Sequence, residues 1–385
     1  MQKSPLFLFG LLCSIAFAQS CTSIKTTPQA RPAAGSVSLT PSRFREILQN
    51  TIADDSLPGI GAVVFTSTEI VHLDVAGMRN METGSRLTRS DKFEIGAATE
   101  ILTAMIAAKL VEQGKISWSS KAEDVLGLRN TLREEYKNVT LNDLLISKIA
   151  LPEYINKKNI EDAVTFRQGS AIENRRAFAN HLLRSDTVER AIPQSGRYYN
   201  NAAYAVANAM LEKVSGDLWE NLCNDLINNP LHIDISTIIN EKTNTHIFDA
   251  ASNTWKAEPY GKAATVLMPA NGAVADLGDL ARLAQEHLRA ERDEKTVFGT
   301  KNLNFLHNAT ERSLSYGWAK QVDSKKEVAL LSQDAKGRSA TMLIFYPKRN
   351  LGFAIIVNAE NTTDYKTSKA VLKLLNRLKT EYVID

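Results

Sequence analysis

Hydrophobic positions recur along the chain in two spacings, and each spacing predicts a different element. Residues 42–53 and 97–113 carry apolar side chains every three or four positions, which predicts two helices, and Gly114 follows the second as a stop. Between them lie the run GIGAVVFT and an alternating segment from Ile70 to Val75. Because only a short polar break separates these two runs, the pattern predicts an antiparallel β-hairpin.

A long helical middle follows before the spacing returns to two. Helices are predicted at roughly 121–126, 140–147, 173–184, 201–215, 217–228 and 276–290. Four strands, SYGWAKQV, KEVALLSQ, SATMLIFYP and LGFAIIVN, then precede a last helix at 363–380. We therefore predict an α+β fold in which both ends of the chain form one antiparallel sheet flanked by helices. The predicted folded region, 42–380, has an α/β part (42–96 plus 312–380) and an inserted, mainly helical part (97–311).

The first 18 residues have the pattern of a secretory signal. Lys3 precedes an apolar run that ends in the letters AFA, and this run is too short to span a bilayer as a mature helix. Cys21 follows in a sequence that loosely resembles a lipobox, so lipidation at Cys21 and plain cleavage after Ala18 both stay open. Residues 19–41 are small and polar, which predicts a tether. This pattern predicts a bacterial envelope protein, either periplasmic or anchored by its N-terminal lipid.

Composition narrows the function classes. The chain has 385 residues, of which 44% are hydrophobic and 23% charged, enough to build a large core. Its net charge of +3 gives no electrostatic reason to expect nucleic acid, nor a membrane contact beyond the N-terminal lipid. Three cysteines are too few for a disulfide scaffold. The six histidines have no metal-ligand spacing and no dinucleotide or phosphate-loop motif occurs, so we expect neither a metal nor a cofactor.

One segment, FEIGAATEILTA at 93–104, resembles the S-x-x-K region of the serine β-lactamase and penicillin-binding-protein family. The similarity is closest to the class C-like branch, which includes D-alanyl-D-alanine carboxypeptidases and esterases. Further segments match in order: YNNAAY (199–204), PANG (269–272) and YGW (316–318). The resemblance covers about 42–380 and implies a β-lactamase/transpeptidase-like fold.

The resemblance also shows which catalytic groups are replaced. The family's nucleophilic serine and its lysine correspond to Ala97 and Glu100, a methyl group and an opposite charge. Tyr199 and Asn201 stand at the two positions of Y-x-N, which implies proton transfer by the tyrosine and binding of a substrate amide by the asparagine. Packing of Tyr199 and helix capping by Asn201 is the alternative.

The third family motif, H-x-G or K-T-G, should lie on the strand before Gly337. Counting back places it at Leu331-Ser332-Gln333, where the family's cation and glycine are both absent. Because loss of the nucleophile alone costs on the order of 10⁴–10⁶ in rate, acyl-serine catalysis is not expected.

These substitutions lead to three hypotheses. The first is a catalytically inactive serine-hydrolase homologue whose cleft binds a cell-wall peptide, another small ligand or a partner protein through Glu100, Tyr199, Asn201 and Ser332. The second is a hydrolase of the same family that uses Glu100 and Tyr199 as an acid/base pair. The third is a surface protein whose cleft is filled by side chains.

Overall fold

The structure is a computed structural model that describes most of the folded region. The described residues are 39–129, 131–152, 154, 157–184, 201–237, 244–259, 264–308, 316–322, 327–334, 338–360 and 365–382. The signal, residues 19–38 of the predicted tether with Cys21, and Tyr199 lie outside these residues. The end of the predicted tether is corrected, because Leu39 is buried and a helix begins at Pro41. Within the described ranges, no helix combines the length and apolar character needed to cross a membrane.

A seven-stranded antiparallel sheet forms the centre of the fold. The strands in chain order are β1 (Gly59–Phe65), β2 (Ile70–Asn80), β3 (Ser85–Arg86), β4 (Phe93–Glu94), β5 (Asn244–Asp249), β6 (Thr254–Pro259), β7 (Val274–Ala275), β8 (Ala319–Val322), β9 (Val328–Asp334), β10 (Ala340–Tyr346) and β11 (Leu351–Val357). The central sheet has the order β3-β2-β1-β11-β10-β9-β8, while β4 pairs with β7 and β5 with β6. The predicted joining of both chain ends in one sheet is thus confirmed, because β1 pairs directly with β11.

Helices cover both faces of the sheet and build the middle of the chain. They are α1 (Pro41–Asp55), α2 (Thr99–Glu112), α3 (Ala122–Val125), α4 (Leu141–Leu145), α5 (Lys157–Val164), α6 (Ala171–Arg184), α7 (Asn201–Ser215), α8 (Trp219–Cys223), α9 (Asn229–Leu231), α10 (Met268–Asn271), α11 (Leu277–Glu291), α12 (Thr300–His307) and α13 (Lys366–Glu381). Local sequence fixes several ends. Thr40 caps α1 by accepting a hydrogen bond from the Arg43 amide, and Thr140 and Asp143 form a capping box on α4.

Two hydrophobic clusters lie on opposite faces of the sheet. Successive residues of β1 face different clusters: Val63 and Phe65 face the first, and Ala62 and Val64 face the second. The first cluster is built with α2, α7 and α11, and the second with α1 and α13. This arrangement explains why β1 is apolar throughout and buried along its whole length.

Some elements differ from the sequence expectations. The predicted helix at 217–228 is α8 followed by a π-helical turn, Asn224–Asn228, and the strand expected from residue 315 is shortened to β8. The β5–β6 hairpin and α12 were not predicted, because their sequences carry no clear apolar period. Helix α11, placed by sequence in the helical part, packs against β1 and β11 of the sheet.

Candidate functional site

The site predicted from sequence lies where β4 runs into α2. A 3₁₀ turn, Gly96–Ala98, joins the two elements, and the Ile95 amide donates to the Ala273 carbonyl at 3.0 Å. Two hydroxyls then fix the start of α2 against the segment around α10. Thr99 Oγ1 accepts a hydrogen bond from the Ala273 amide at 3.2 Å, and Thr103 Oγ1 donates to the Pro269 carbonyl at 2.6 Å. The turn that carries Ala97 is therefore held rigidly.

Ala97 lies in the 3₁₀ turn and Glu100 on the first turn of α2, and both are buried. Ala97 is 5% exposed and Glu100 is 6% exposed. Thr99, the nearest hydroxyl, is fully buried and bonded to Ala273. The start of α2 thus presents a methyl group and a carboxylate where the family resemblance places a serine and a lysine.

The loop before β8 packs directly on this turn. Gly317 has φ +80°, and a Cβ added there would lie 2.7 Å from the Ile101 amide nitrogen and 3.0 Å from the Glu100 carbonyl carbon. Only glycine allows this approach without strain. Next to it, the Tyr316 hydroxyl bonds the Asn142 side chain at 2.5 Å, which ties the loop to α4.

Strand β9 packs against the 3₁₀ turn, and its side chains alternate between the two faces of the sheet. Ser332 pairs with Leu343 and Asp334 with Thr341, whereas Leu331 pairs with Ile344, which belongs to the cluster around α13. Because cross-strand partners share a face, Leu331 points away from the candidate site. The sequence count that placed Leu331 at the site is corrected accordingly: the buried residues Ser332 and Asp334 are on the site side of the strand.

Asp334 reaches the turn at Gly96. A Cβ on Gly96 would overlap the Asp334 carboxylate and lie 2.6 Å from its Cβ and Cγ, and Gly96 has φ +53°. Gly96 is thus required both by the backbone conformation and by the approach of this side chain. Sequence analysis did not select Asp334, although it directly follows the segment counted back from Gly337.

Glu94, also missed from the sequence, has an unusual acidity. Burial raises the pKa of its carboxyl to about 8, and the negative charge of Asp334 adds to this effect, while Arg338 opposes it. The Glu94 carbonyl accepts a hydrogen bond from the Thr341 hydroxyl at 3.3 Å, which joins β4 to β10. The site therefore carries an acid that keeps its proton at neutral pH. In the sequence, the only indication that Glu94 lies near the site was its place in the segment FEIG.

Asn201 lies at the first residue of α7, which packs against α2. Its amide binds the backbone of Tyr154 at both ends: Nδ2 donates to the Tyr154 carbonyl at 2.8 Å, and Oδ1 accepts from the Tyr154 amide at 3.0 Å. Asn201 is 1% exposed. In this conformation its side chain holds the chain before α5 in place. Its role in ligand binding, like that of Tyr199 outside the described residues, stays a prediction.

The surroundings are rich in carboxyl groups. Glu94, Glu100 and Asp334 approach the start of α2, and Arg338 is the cation that acts on Glu94. No group of three histidine, cysteine, aspartate or glutamate side chains in the described ranges could hold a metal ion. The arrangement can supply a protonated acid and negative charge.

Comparison with curated proteins finds relatives of low sequence identity. Among curated proteins, it is 21% identical to "Unguisins hydrolase ungD'" of Aspergillus campestris (strain IBT 28561) over 87% of this chain and 64% of that protein. It is also 21% identical to "Penicillin-binding protein 4" of Amycolatopsis lactamdurans, over 60% of each. Gigasin-6 of Magallana gigas is 24% identical over 49% of this chain and 60% of that protein. The chain thus spans about 60–64% of the length of these curated relatives.

Solved structures share the fold. The octameric penicillin-binding protein homologue from Pyrococcus abyssi superposes with a TM-score of 0.68 at 20% identity, covering 87% of this chain and 77% of that one. A crystal structure of SurE gives a TM-score of 0.70 at 17% identity, covering 89% and 76%. The sequence model of the family described as Beta-lactamase matches residues 44–376, most of the chain. The chain therefore belongs to the beta-lactamase family.

Proposed function

We propose that this protein is a non-catalytic member of the family that binds its ligand through the cleft at the start of α2. The observation that carries this proposal is the pair formed by Ala97, in the 3₁₀ turn before α2, and Glu100, on the first turn of α2, both of them buried. A methyl group cannot attack an acyl carbon. A carboxylate in place of an ammonium group also removes the cation that assists proton transfer in the family.

The charge of the cleft supports a change of ligand class. Glu100 lies on the first turn of α2 and the Asp334 carboxylate lies against Gly96 in the turn before it, while β9 lacks the cation that would attract a substrate carboxylate. Two like charges about 4 Å apart repel by roughly 4 kcal/mol at an effective dielectric constant of 20. A ligand ending in a carboxylate would therefore bind less well here than a neutral or basic peptide, another small ligand or a partner protein. The proposed polar contacts are Ser332, Tyr199 and, once it releases the Tyr154 backbone, Asn201.

The proposal also covers the location of the protein in the cell. The signal pattern in residues 1–18 and the polar segment that follows support export to the bacterial cell envelope. Cys21 is the residue at which a lipid would attach, and cleavage after Ala18 without lipidation is the alternative. Mass spectrometry of the mature N-terminus distinguishes the two.

Covalent labelling tests the absence of acyl-serine chemistry. Purified protein is incubated with a fluorescent penicillin and with a fluorophosphonate, beside an active serine enzyme of the family as a positive control. We expect no label, and the matched variant Ala97→Ser shows whether the cleft admits the reagents once a hydroxyl is present. Label on the wild-type protein that peptide mapping assigns to the cleft would overturn the proposal.

A hydrolase with different catalytic residues is the second candidate. The proton that Glu94 keeps up to about pH 8 supports it, because a general acid must be protonated at the working pH. A relative named as a hydrolase supports it too. Turnover of esters, D-amino-acid peptides and β-lactams is compared in wild type, Glu94→Gln, Glu100→Gln and Tyr199→Phe. Equal background rates in all four proteins exclude this candidate, and a loss in one variant identifies the residue.

A further inference from the structure

The Glu291 carboxylate and the imidazoles of His307 and His287 lie in a hydrogen-bonded row between α11 and α12, which we call the file. His307 Nδ1 lies 2.8 Å from Glu291 Oε1, and His307 Nε2 lies 2.8 Å from His287 Nδ1. Both imidazoles are buried. The Trp318 ring packs on both of them, with centroids 5.0 Å and 6.0 Å away, and Phe345 of β10 closes the other side of His307.

The hydrogen bonds fix how the protons are arranged in the neutral pair. Because a carboxylate only accepts, His307 carries its proton on Nδ1, and its Nε2 must accept from His287 Nδ1. The remaining nitrogen, Nε2 of His287, is buried without a hydrogen-bond partner. A proton added to His287 Nε2 would therefore form an N–H group with no hydrogen-bond acceptor.

The charged groups around the file give little help to an imidazolium. Glu291 on α11 favours it, but Lys320 on β8 acts against it at His307. On the neighbouring elements, Glu286 is paired with Arg289 on α11, and Glu112 of α2 bonds Lys109 and Asn302. Burial lowers the pKa of both histidines below that of a free imidazole, most strongly at His287.

Helix α12 is the element of this interface that opens most readily. It has eight residues, and its Phe305 is 42% exposed, whereas the fifteen-residue α11 packs against the sheet. Short elements with an exposed side have low opening free energies. The Tyr316 amide bonds the Leu306 carbonyl, and Gly317 packs on the backbone of Glu100, so the end of α12 is tied to residues that contact the start of α2.

We propose that α12 is a pH-released latch: in mild acid, His287 and His307 take up protons by separation of α12 from α11, which loosens Tyr316–Trp318 from the first turn of α2. In the open form the imidazoles regain water, and each binds a proton below about pH 6.5. Closing α12 again must expel those protons, so acid shifts the equilibrium towards the open form. The latch does not depend on what the cleft binds.

Hydrogen exchange measured by mass spectrometry tests the latch. Wild-type protein is compared at steps between pH 7.5 and 5, after correction for intrinsic exchange rates. Because opening takes up two protons, the opening constant of α12 should rise by up to about 100-fold for each unit that the pH is lowered, well below pH 6.5. The amides of β1 and β11 should stay protected over the same range. His287→Asn keeps a donor for His307 and removes one titrating group, so its rise should fall to about 10-fold per unit.

Two further variants separate the latch from a structural role of the histidines. His181→Gln changes a partly exposed histidine of α6 and should keep the wild-type slope. Glu291→Gln removes the carboxylate charge that favours an imidazolium, so α12 should open at a higher pH than in wild type. The proposal is overturned if α12 protection does not depend on pH, if β1 and β11 lose protection together with α12, or if His287→Asn retains the wild-type slope.

Discussion

The raised pKa of Glu94 predicts that part of the protein's stability is lost as pH rises. Its folded-state pKa is about 8 against an ordinary value of 4.5. Since the folded protein then holds a proton that the unfolded chain releases, this contribution is complete below pH 4.5 and disappears as pH rises through 8. At 1.36 kcal/mol per pH unit, the whole shift corresponds to about 5 kcal/mol as an upper value.

The range between pH 6.5 and 9 contains most of this effect that is accessible near neutral pH, and the buried Cys223 thiol, whose pKa is raised, adds to the loss only close to pH 9. Because the pKa values of His287 and His307 are lowered, their contribution to the free energy of unfolding changes below pH 6.5. There the free energy of unfolding falls as the pH is lowered. Of the Glu94 contribution, about 2 kcal/mol should be lost between pH 6.5 and 9. Urea unfolding at half-unit steps, followed by fluorescence, gives the free energy of unfolding directly.

Substitution assigns the loss to one side chain. Glu94→Gln removes the titration while keeping an amide of similar shape, so its free energy of unfolding should stay flat over this range. Glu69→Gln changes an exposed carboxylate and should follow wild type. A flat wild-type profile, or a Glu94→Gln profile with the wild-type slope, would refute the argument that burial and Asp334 keep Glu94 protonated.

Two further substitutions test other parts of the frame by the same unfolding assay. Gly96→Ala should cost about 2 kcal/mol or more, because φ is positive and the new Cβ overlaps Asp334; no loss would show that Asp334 moves aside without strain. Arg175→Met should cost about 3–5 kcal/mol, because it leaves Glu212 and Glu220 without their shared buried cation; a change below 1 kcal/mol would contradict this.

Much of the scaffold could be predicted from the sequence. The hairpin β1–β2 and the strands β9 to β11 follow from short apolar runs between turn residues, and α2 and α7 follow from their helical spacing. The end of α2 was also predictable, because its apolar residues stop just before Gly114. Local patterns of this kind need no knowledge of distant contacts.

The site itself depends on contacts that the sequence does not show. Strand β9 was predicted, but its pairing with β10 decides which of its alternate residues face α2. A shift of one residue along the strand exchanges Ser332 for Leu331 on that face. The effect of Asp334 on Glu94 joins residues far apart in the chain. Asn201 is similar, since its bonds to the Tyr154 backbone could not be inferred from the Y-x-N pattern.

The pairing of β1 with β11 has a consequence for the way the protein is made. These strands lie near opposite ends of the folded region, yet they are neighbours at the centre of the sheet. The sheet therefore cannot be completed until the last strand has left the ribosome, and contacts of such long range form slowly. The central sheet of a nascent chain stays incomplete until β11 is made, so the edge of β1 must be protected from pairing with other chains during synthesis.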